Sequence, residues 1–546
     1  MLMSPSGFIH SPDFQNYTFE KATHFVRGFV FIYGRKAGAD TVTYIDQRLH
    51  VDGEIPFSEL HGSFDYFIVK NDGTVYAFSD NSNQQCLYVS GQTVGSSFLE
   101  MIEDFGSKGK RLYFSSNALC EYLTLGNVFF ENTLANEISV LSSDRYALLS
   151  QGRVKVCSKN IGGIEGKSTL PSIQSFFDQL SYSVQGMHVC QALTGGYDSR
   201  MVFACTKDHL DMELGFSGND EQDPDYICAR NAAASCGKEL CYVRTAKTAL
   251  TDETVEKLLV AGDGIQPLSV DAALRLLQFK TMFWETGCTL HFTGDGGVLH
   301  KDWEWMQDLP FYNRRHTDVR RFYHQRIAFD VSSGMLGPSL LEEYAGQESR
   351  FVSALQAYTK QSNTQSYDSL YYSISGNRRF YYNANPVPGL ISYAPLNELD
   401  LVRYSFHLPR RSRFFYNSMR HTICASDVRL ARAATNYGTT ASDEPLYLLR
   451  DTWFQGVEYG KKAVRMLGRK LFHVNAFVRD PVTWNYQNEF RCLPLTSAAV
   501  AFAKETDLID PVAHEKALSY ATLQRLVHIY WLASRHQISL CGERSE

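Results

Sequence analysis

The stretch Leu193-Thr194-Gly195-Gly196-Tyr197-Asp198-Ser199-Arg200 constrains this chain more than any other, because an apolar strand, His188 to Leu193, runs into paired glycines and straight out into a helix. Two successive glycines let the backbone turn sharply at positive φ, so consecutive N–H groups converge on one anion. The helix, expected over Ser199 to Asp208, adds its unpaired N–H groups and the positive end of its dipole. Asp198 is placed to hold a Mg²⁺ that bridges phosphate oxygens. A bare Gly-Gly turn is often only structural. With Thr194, Asp198 and Ser199 around it, the turn reads as a phosphate site.

The surroundings of this loop alternate strand and helix. A Gly-rich connector at 162–168 precedes a helix over Leu170 to Val184, and the loop's own strand and helix follow. Next come a strand at Met212 to Phe216, a helix at Asp225 to Ser235 and a strand at Leu240 to Val243. Helices at Asp252 to Ala261 and Val270 to Glu285 precede a strand at Thr289 to Phe292. Such alternation predicts a parallel α/β sheet with helices on both faces and ligands at the strands' C-terminal ends. Residues 310 to 546 read as mainly helical. Upstream, Met1 to about Lys167 is β-rich, with short alternating strands such as Phe25 to Tyr33 and Phe64 to Val69; Asn71-Asp72-Gly73 forms a hairpin turn. The expected division is therefore 1–165 and 166–546.

Composition narrows the partners. A chain of 546 residues exceeds one core. With 53 basic against 59 acidic residues, a net charge of −6, and no basic run, nucleic acid is excluded as a primary partner. The first 17 residues lack a basic start followed by an apolar core, and no stretch approaches a membrane span, so a soluble, cytoplasmic protein without a membrane partner is expected. The 12 cysteines form no Cys-x-x-Cys pair and are read as reduced core residues.

The octapeptide at 193–200 resembles the pyrophosphate loop, Ser-Gly-Gly-x-Asp-Ser, of the ATP pyrophosphatase group in the version used by asparagine synthetases, with Thr194 keeping the hydroxyl. About a hundred residues on, Thr293-Gly294-Asp295-Gly296-Gly297 is similar to that family's second loop, Ser-Gly-Glu-Gly-(Ser/Ala)-Asp. The segment 386–408, with Ala394-Pro395-Leu396-Asn397-Glu398-Leu399-Asp400, resembles its Pro-Phe-Leu-Asp segment. Upstream, Gly62 to Asp80 closing with Leu87-Tyr88, then Asn117 to Tyr122 and Thr133 to Lys155, resemble a class II glutamine amidotransferase domain, with Asn83 and Cys86 in place of its Gly and Pro. The resemblance implies a glutaminase-like β-sandwich of the Ntn type followed by an α/β synthetase domain with a helical C-terminal portion. The family's glutaminase needs an N-terminal cysteine. Here the sequence reads Met1-Leu2-Met3, the first cysteine is Cys86, and Asp52-Gly53-Glu54-Ile55 reads as a turn. The expectation is a first domain that keeps its fold as support and has lost its reaction.

The implied activity is ATP- and Mg²⁺-dependent amide formation through an acyl-adenylate. By the resemblance, Leu193, Thr194, Gly195, Gly196, Asp198, Ser199, Leu214, Phe216, Thr293 and Gly294 contact the nucleotide; Asp198 and Asp295 hold metal; Asp295 and Arg420 serve catalysis. Small-molecule or peptide carboxylates and amines are the expected substrates, a precursor peptide among them, as in the related β-lactam and lasso-peptide macrolactam synthetases. Three departures stand out. Val298 replaces the second metal-binding aspartate, Asp295 replaces Glu, and if Arg420 is the family's arginine the lysine four residues before it is Tyr416. Arg410, Arg411 and Arg413 are the alternative charges, and Asp302 an auxiliary carboxylate. These departures suit the competing reading, a nucleotide-binding scaffold without catalysis.

Overall fold

A computed structural model describes residues 1–4, 7–9, 13–301, 317–328, 335–359, 363–379, 387, 389–472, 486–512 and 518–540. The fold is mixed α/β. In the first part six antiparallel strands lie in the order Arg153–Ser158, Arg145–Ser150, Val75–Ser79, His61–Lys70, Ala22–Phe31 and Gln15–Thr18. Five shorter antiparallel strands form a second sheet, in the order Ser139–Leu141, Leu87–Ser90, Thr93–Gly95, Leu2–Ser4 and Gly7–Ile9. Leu87, Val94 and Leu141 of the second sheet share one apolar cluster with Phe67, Ala77 and Leu149 of the first, so the two sheets face each other. The expected hairpin is present: Gly73 takes φ 82° and Asp72 Oδ1 accepts from the Thr74 amide at 2.9 Å.

The β-rich expectation missed the helix Ala39–Val51. It buries Val42, Ile45 and Leu49, spaced three and four residues apart, against Val26, Val30, Phe64 and Phe78 on the six-stranded sheet's other face. Asp52 and Gly53 end it, Gly53 at φ 73°, so Asp52 to Ile55 is the turn that was read there.

The parallel sheet has five strands in the order Cys241–Arg244, Met212–Gly218, Val189–Ala192, Leu290–Phe292 and Ile391–Tyr393. The chain therefore winds outward one way from the Val189–Ala192 strand, then returns to add the other two on its far side. Alternate residues face alternate layers. Val189 and Leu193 pack with Phe176, Phe203, Met419 and Ile423 from the helices Ile173–Ser183, Asp198–Thr206 and Asn417–Ser426. Cys190 packs oppositely, with Phe279 and Phe283 of the helix Val270–Glu285. That helix crosses directly over Gly215, where an added Cβ would fall 2.3 Å from the Phe283 ring. The fifth strand and its 3₁₀ turn Pro395–Asn397 come from the Pro-Leu-Asn-Glu segment and seat against the first half. There Glu398 accepts from the Gly62 amide at 2.7 Å and the Tyr393 hydroxyl at 2.9 Å, Asn397 donates to Ser82 O at 2.8 Å, and Gln84 Oε1 accepts from Ala394 N at 2.7 Å.

Beyond the sheet, the described residues up to 540 are chiefly helical, the longest helix running Pro445–Phe472. Among the described residues no helix is long and apolar enough to cross a membrane. Every described cysteine is free. The core reading holds for Cys120, Cys190, Cys205, Cys288 and Cys424, whereas Cys241 and Cys492 are exposed.

Candidate functional site

The sheet reverses its winding between Val189–Ala192 and Leu290–Phe292, and the two glycine-rich loops leave these neighbouring strands at their C-terminal ends. In an open parallel sheet this switch point is where a crevice opens. A cleft of about 870 Å³ lies there, lined by Leu193, Thr194, Asp198, Ser199, Phe216, Thr293, Gly294 and Asp295 among others. Leu214 packs instead in the helix-covered cluster beneath. It shares a face with Phe216 but sits two residues deeper, so only the strand-end side chain reaches the opening. A separate hollow of about 1120 Å³, lined by Asp178, His209, Arg411 and His421, lies away from both loops.

In the first loop Ser199 Oγ accepts from the Thr194 amide at 3.0 Å and lies 2.9 Å from Thr194 Oγ1. The Gly195 amide donates to Asp225 Oδ1 at 2.9 Å, and Asn436 Nδ2 donates to the same oxygen at 2.6 Å. Burial raises the pKa of Asp225. Thr194 and Gly195 therefore shape the loop with their N–H groups. What remains for an anion is the start of the helix Asp198–Thr206, whose N-cap Tyr197 makes no side-chain cap. Behind it Arg200, fully buried, donates to Ala433 O and Ala434 O at 2.6 and 2.8 Å; burial lowers its pKa to about 10, which leaves it charged at neutral pH.

The second loop is packed closely against the first and against the turn at Asn397. A Cβ on Gly294 would fall 2.6 Å from Ser199 N, one on Gly297 2.2 Å from Asp198 Cγ, and Gly296, at φ 87°, lies against Asn397 N. Glycine is required at each. Thr293 Oγ1 donates to Asp295 Oδ2 at 2.9 Å. Beneath Asp295 two side chains absent from the sequence reading come close. Lys280, fully buried on the Val270–Glu285 helix, has its pKa lowered to about 7 by burial, which the Asp295 carboxylate only partly offsets. His291 lines the cleft from the strand itself; burial, with the nearby Lys280 charge, lowers it to about 3.

Asp198 presents its carboxylate at the junction of the loops, and Lys301 Nζ lies 2.8 and 2.9 Å from its two oxygens. The same ammonium is 5.5 Å from the centre of the Tyr416 ring, which stacks on Tyr197 at 4.5 Å. A cation thus stands beside Tyr416, the position to which the resemblance assigns a lysine, delivered by a different segment. It also stands where the sequence reading put Mg²⁺. Val298 offers no ligand, Asp295 is turned to Thr293, and both Asp198 oxygens already face an ammonium. This donor set fits phosphates neutralised by Lys301 better than a Mg²⁺ held by Asp198 and Asp295.

Arg420 lies behind the first loop. Fully buried, it donates to Asp451 Oδ2 at 2.8 Å, Ser442 O at 2.9 Å and the Tyr197 hydroxyl at 2.8 Å. Its geometry is that of a loop support. Tyr416 adopts φ 62° just before the helix Asn417–Ser426, and its ring and the Arg420 guanidinium both meet Tyr197. Arg413 is paired with buried Asp368 at 2.5 Å, Arg411 lines the other hollow, and the Arg410 side chain and Asp302 lie outside the described residues. Asp225, Arg200 and Lys301 went unassigned in the sequence; the lone lysine on the apolar face of Val270–Glu285 was the one signal that could have exposed Lys280.

No family model matches the chain, and a search of curated proteins finds no match.

Proposed function

We propose that the chain is an ATP-dependent carbon–nitrogen ligase of the asparagine synthetase type, with a glutaminase-like first half retained as support. The observation that carries this reading is the pair of glycine-rich loops on adjacent central strands, facing one cleft at the reversal of the sheet's winding. In the proposed reaction a carboxylate oxygen attacks the α-phosphorus and pyrophosphate leaves. An amine then attacks the acyl carbon, loses a proton, and AMP leaves. Thr194, Ser199 and the first turn of the Asp198–Thr206 helix receive the pyrophosphate, and Phe216 flanks the base. Arg200 contributes positive potential from beneath. Mg²⁺, when it accompanies ATP, adds charge neutralisation on the phosphates; Lys301 supplies it from the protein, and Asp198 keeps that ammonium in place. Asp295, with Lys280 behind it, faces the acceptor side.

The test is substrate-dependent exchange of labelled pyrophosphate into ATP, which reports adenylation without requiring the amine. With a panel of carboxylates and short peptides, wild type is expected to exchange, and Lys301→Met and Asp295→Ala to lose roughly 10²-fold or more, the usual scale for one transition-state contact. The Lys301–Asp198 pair also favours a second reading, a nucleotide-binding scaffold, because it closes the carboxylate that metal-assisted chemistry would use. ATP binding by wild type and both variants, with no exchange across the panel, would establish the scaffold and sink the ligase.

A further inference from the structure

We infer a zinc site at the opposite edge of the parallel sheet, formed by His188, Glu213 and Cys288. Each stands at the beginning of one of three adjacent strands. His188 immediately precedes Val189–Ala192, Glu213 is the second residue of Met212–Gly218, and Cys288 lies two residues before Leu290–Phe292. One donor atom from each, an imidazole nitrogen, a carboxylate oxygen and a thiol sulfur, falls within 4.8 Å of the other two. His188 Nε2 and Glu213 Oε1 are 3.0 Å apart. A tetrahedral zinc with bonds of about 2.0–2.3 Å holds its ligands roughly 3.3–3.8 Å from one another, so small side-chain rotations suffice to close the site.

The arrangement is more than a surface ion pair. An exposed His–Glu contact contributes little by itself and has no use for a buried sulfur. Here the ligands are fixed from behind. The Thr289 and Leu290 amides both donate to His188 O, at 2.9 and 3.2 Å, which ties the Cys288 turn to the His188 backbone. Thr286 Oγ1 lies 3.0 Å from Glu213 Oε2, 3.6 Å from Cys288 Sγ and 2.8 Å from Phe283 O, so its single proton can serve as an outer partner to one ligand at a time. Cys190, in register with Glu213 and in the buried cluster of Cys288, stands behind the three donors but outside their group, so the fourth position goes to water. Mixed nitrogen, sulfur and oxygen donors suit zinc, whereas magnesium and calcium take oxygen. From His188 to Thr194 is six residues of near-extended chain, about 20 Å, so the metal would brace the sheet and take no part in chemistry at the loops.

The full-length protein, freed of metal by a chelator, is titrated with zinc chloride against a chromophoric zinc indicator, and thermal unfolding is followed with and without zinc. One zinc per chain and a higher Tm with zinc are expected, with cobalt(II) giving a thiolate-to-metal absorption band of one-sulfur intensity. His188→Ala and Glu213→Gln, at half-exposed positions that leave the core intact, should each weaken zinc binding at least tenfold, and Cys288→Ser should remove the cobalt–thiolate band. Absence of stoichiometric zinc in wild type, or unchanged affinity in both His188→Ala and Glu213→Gln, would overturn the assignment, whatever the outcome of the exchange assay.

Discussion

The two glycine loops that face each other across the cleft differ in how their glycines are packed. In the first, Gly195 is closed in, an added Cβ falling 2.7 Å from Cys228 Cβ, while Gly196 is open, its nearest neighbour, Thr194 Oγ1, lying at 3.6 Å. In the second, Gly294, Gly296 and Gly297 are filled by the main chain or carboxylate of a neighbour. The surroundings differ as well. The first loop rests on two buried guanidiniums, Arg200 and Arg420, whereas buried imidazoles, His291 and His300, flank the second. Gly196 alone has open space beside it, whereas Gly195 and the glycines of the second loop permit close contact between protein segments. Buried guanidiniums back the first loop, with the Asp225 carboxylate on its Gly195 amide, and buried imidazoles back the second.

Removing the support of the first loop should have the largest effect. Arg420→Ala would take the buried guanidinium from Asp451 Oδ2 and leave only the half-exposed Arg450, 3.1 Å from Oδ1, so the loss should lie near the lower end of the about 3–5 kcal/mol that breaking a buried pair typically costs. Denaturant unfolding should show a loss of that size. If Arg420→Ala keeps wild-type stability and loses exchange activity alone, the arginine belongs to the chemistry and the contrast between the loops fails.

Acid should act on the second loop. His300 donates through Nε2 to Leu396 O at 2.6 Å and lies 2.5 Å from Ser405 Oγ, and burial lowers its pKa from 6.5 to about 4. The folded state thus holds this imidazole neutral while the unfolded chain protonates it near 6.5. Its contribution is full above pH 6.5, is lost as pH falls toward 4, and changes no further below that. The linkage amounts to about 3 kcal/mol. Unfolding free energies measured from pH 7 to 4 should fall with a slope that flattens in His300→Gln. An unaltered slope in the variant would assign the acid response elsewhere.

The glycines themselves give the finest comparison. Gly297→Ala should lower the unfolding free energy by about 1–3 kcal/mol, as overpacking does, and nucleotide affinity with it. Gly196→Ala should leave Tm within a degree or two of wild type while weakening nucleotide binding, because its added methyl meets ligand and not protein. Equal Tm losses in the two variants would erase the distinction.

The first loop could be read from the sequence because everything that defines it is local: an apolar strand, two glycines, and a helix opening with Asp and Ser. The helices Asp252–Ala261 and Val270–Glu285 match their expected bounds, since apolar spacing and flanking turns mark both ends. The helix Ala39–Val51 is hard to tell from the surrounding strands in the sequence because its three buried apolar positions are diluted by polar neighbours. The contacts that decide the site's chemistry join distant segments. Lys301 reaches Asp198 across 103 positions, and Asn436 reaches Asp225 across 211. Neither carries a local mark, so the sequence could report a missing lysine at 416 but not the one that stands beside it.

The outer strand Ile391–Tyr393 has a bearing on how the protein is made. Its partner Leu290–Phe292 is synthesised about a hundred residues earlier. At about 5–20 residues per second, that partner strand waits roughly 5–20 s on the ribosome with one row of backbone groups unpaired. The surface that receives the late strand, Gly62 and Ser82 to Gln84, is by then complete. The antiparallel half therefore acts during synthesis as a prebuilt berth for the last strand of the parallel sheet, and slowing translation between residues 300 and 390 should lengthen the interval in which the nascent chain is vulnerable to edge-to-edge aggregation.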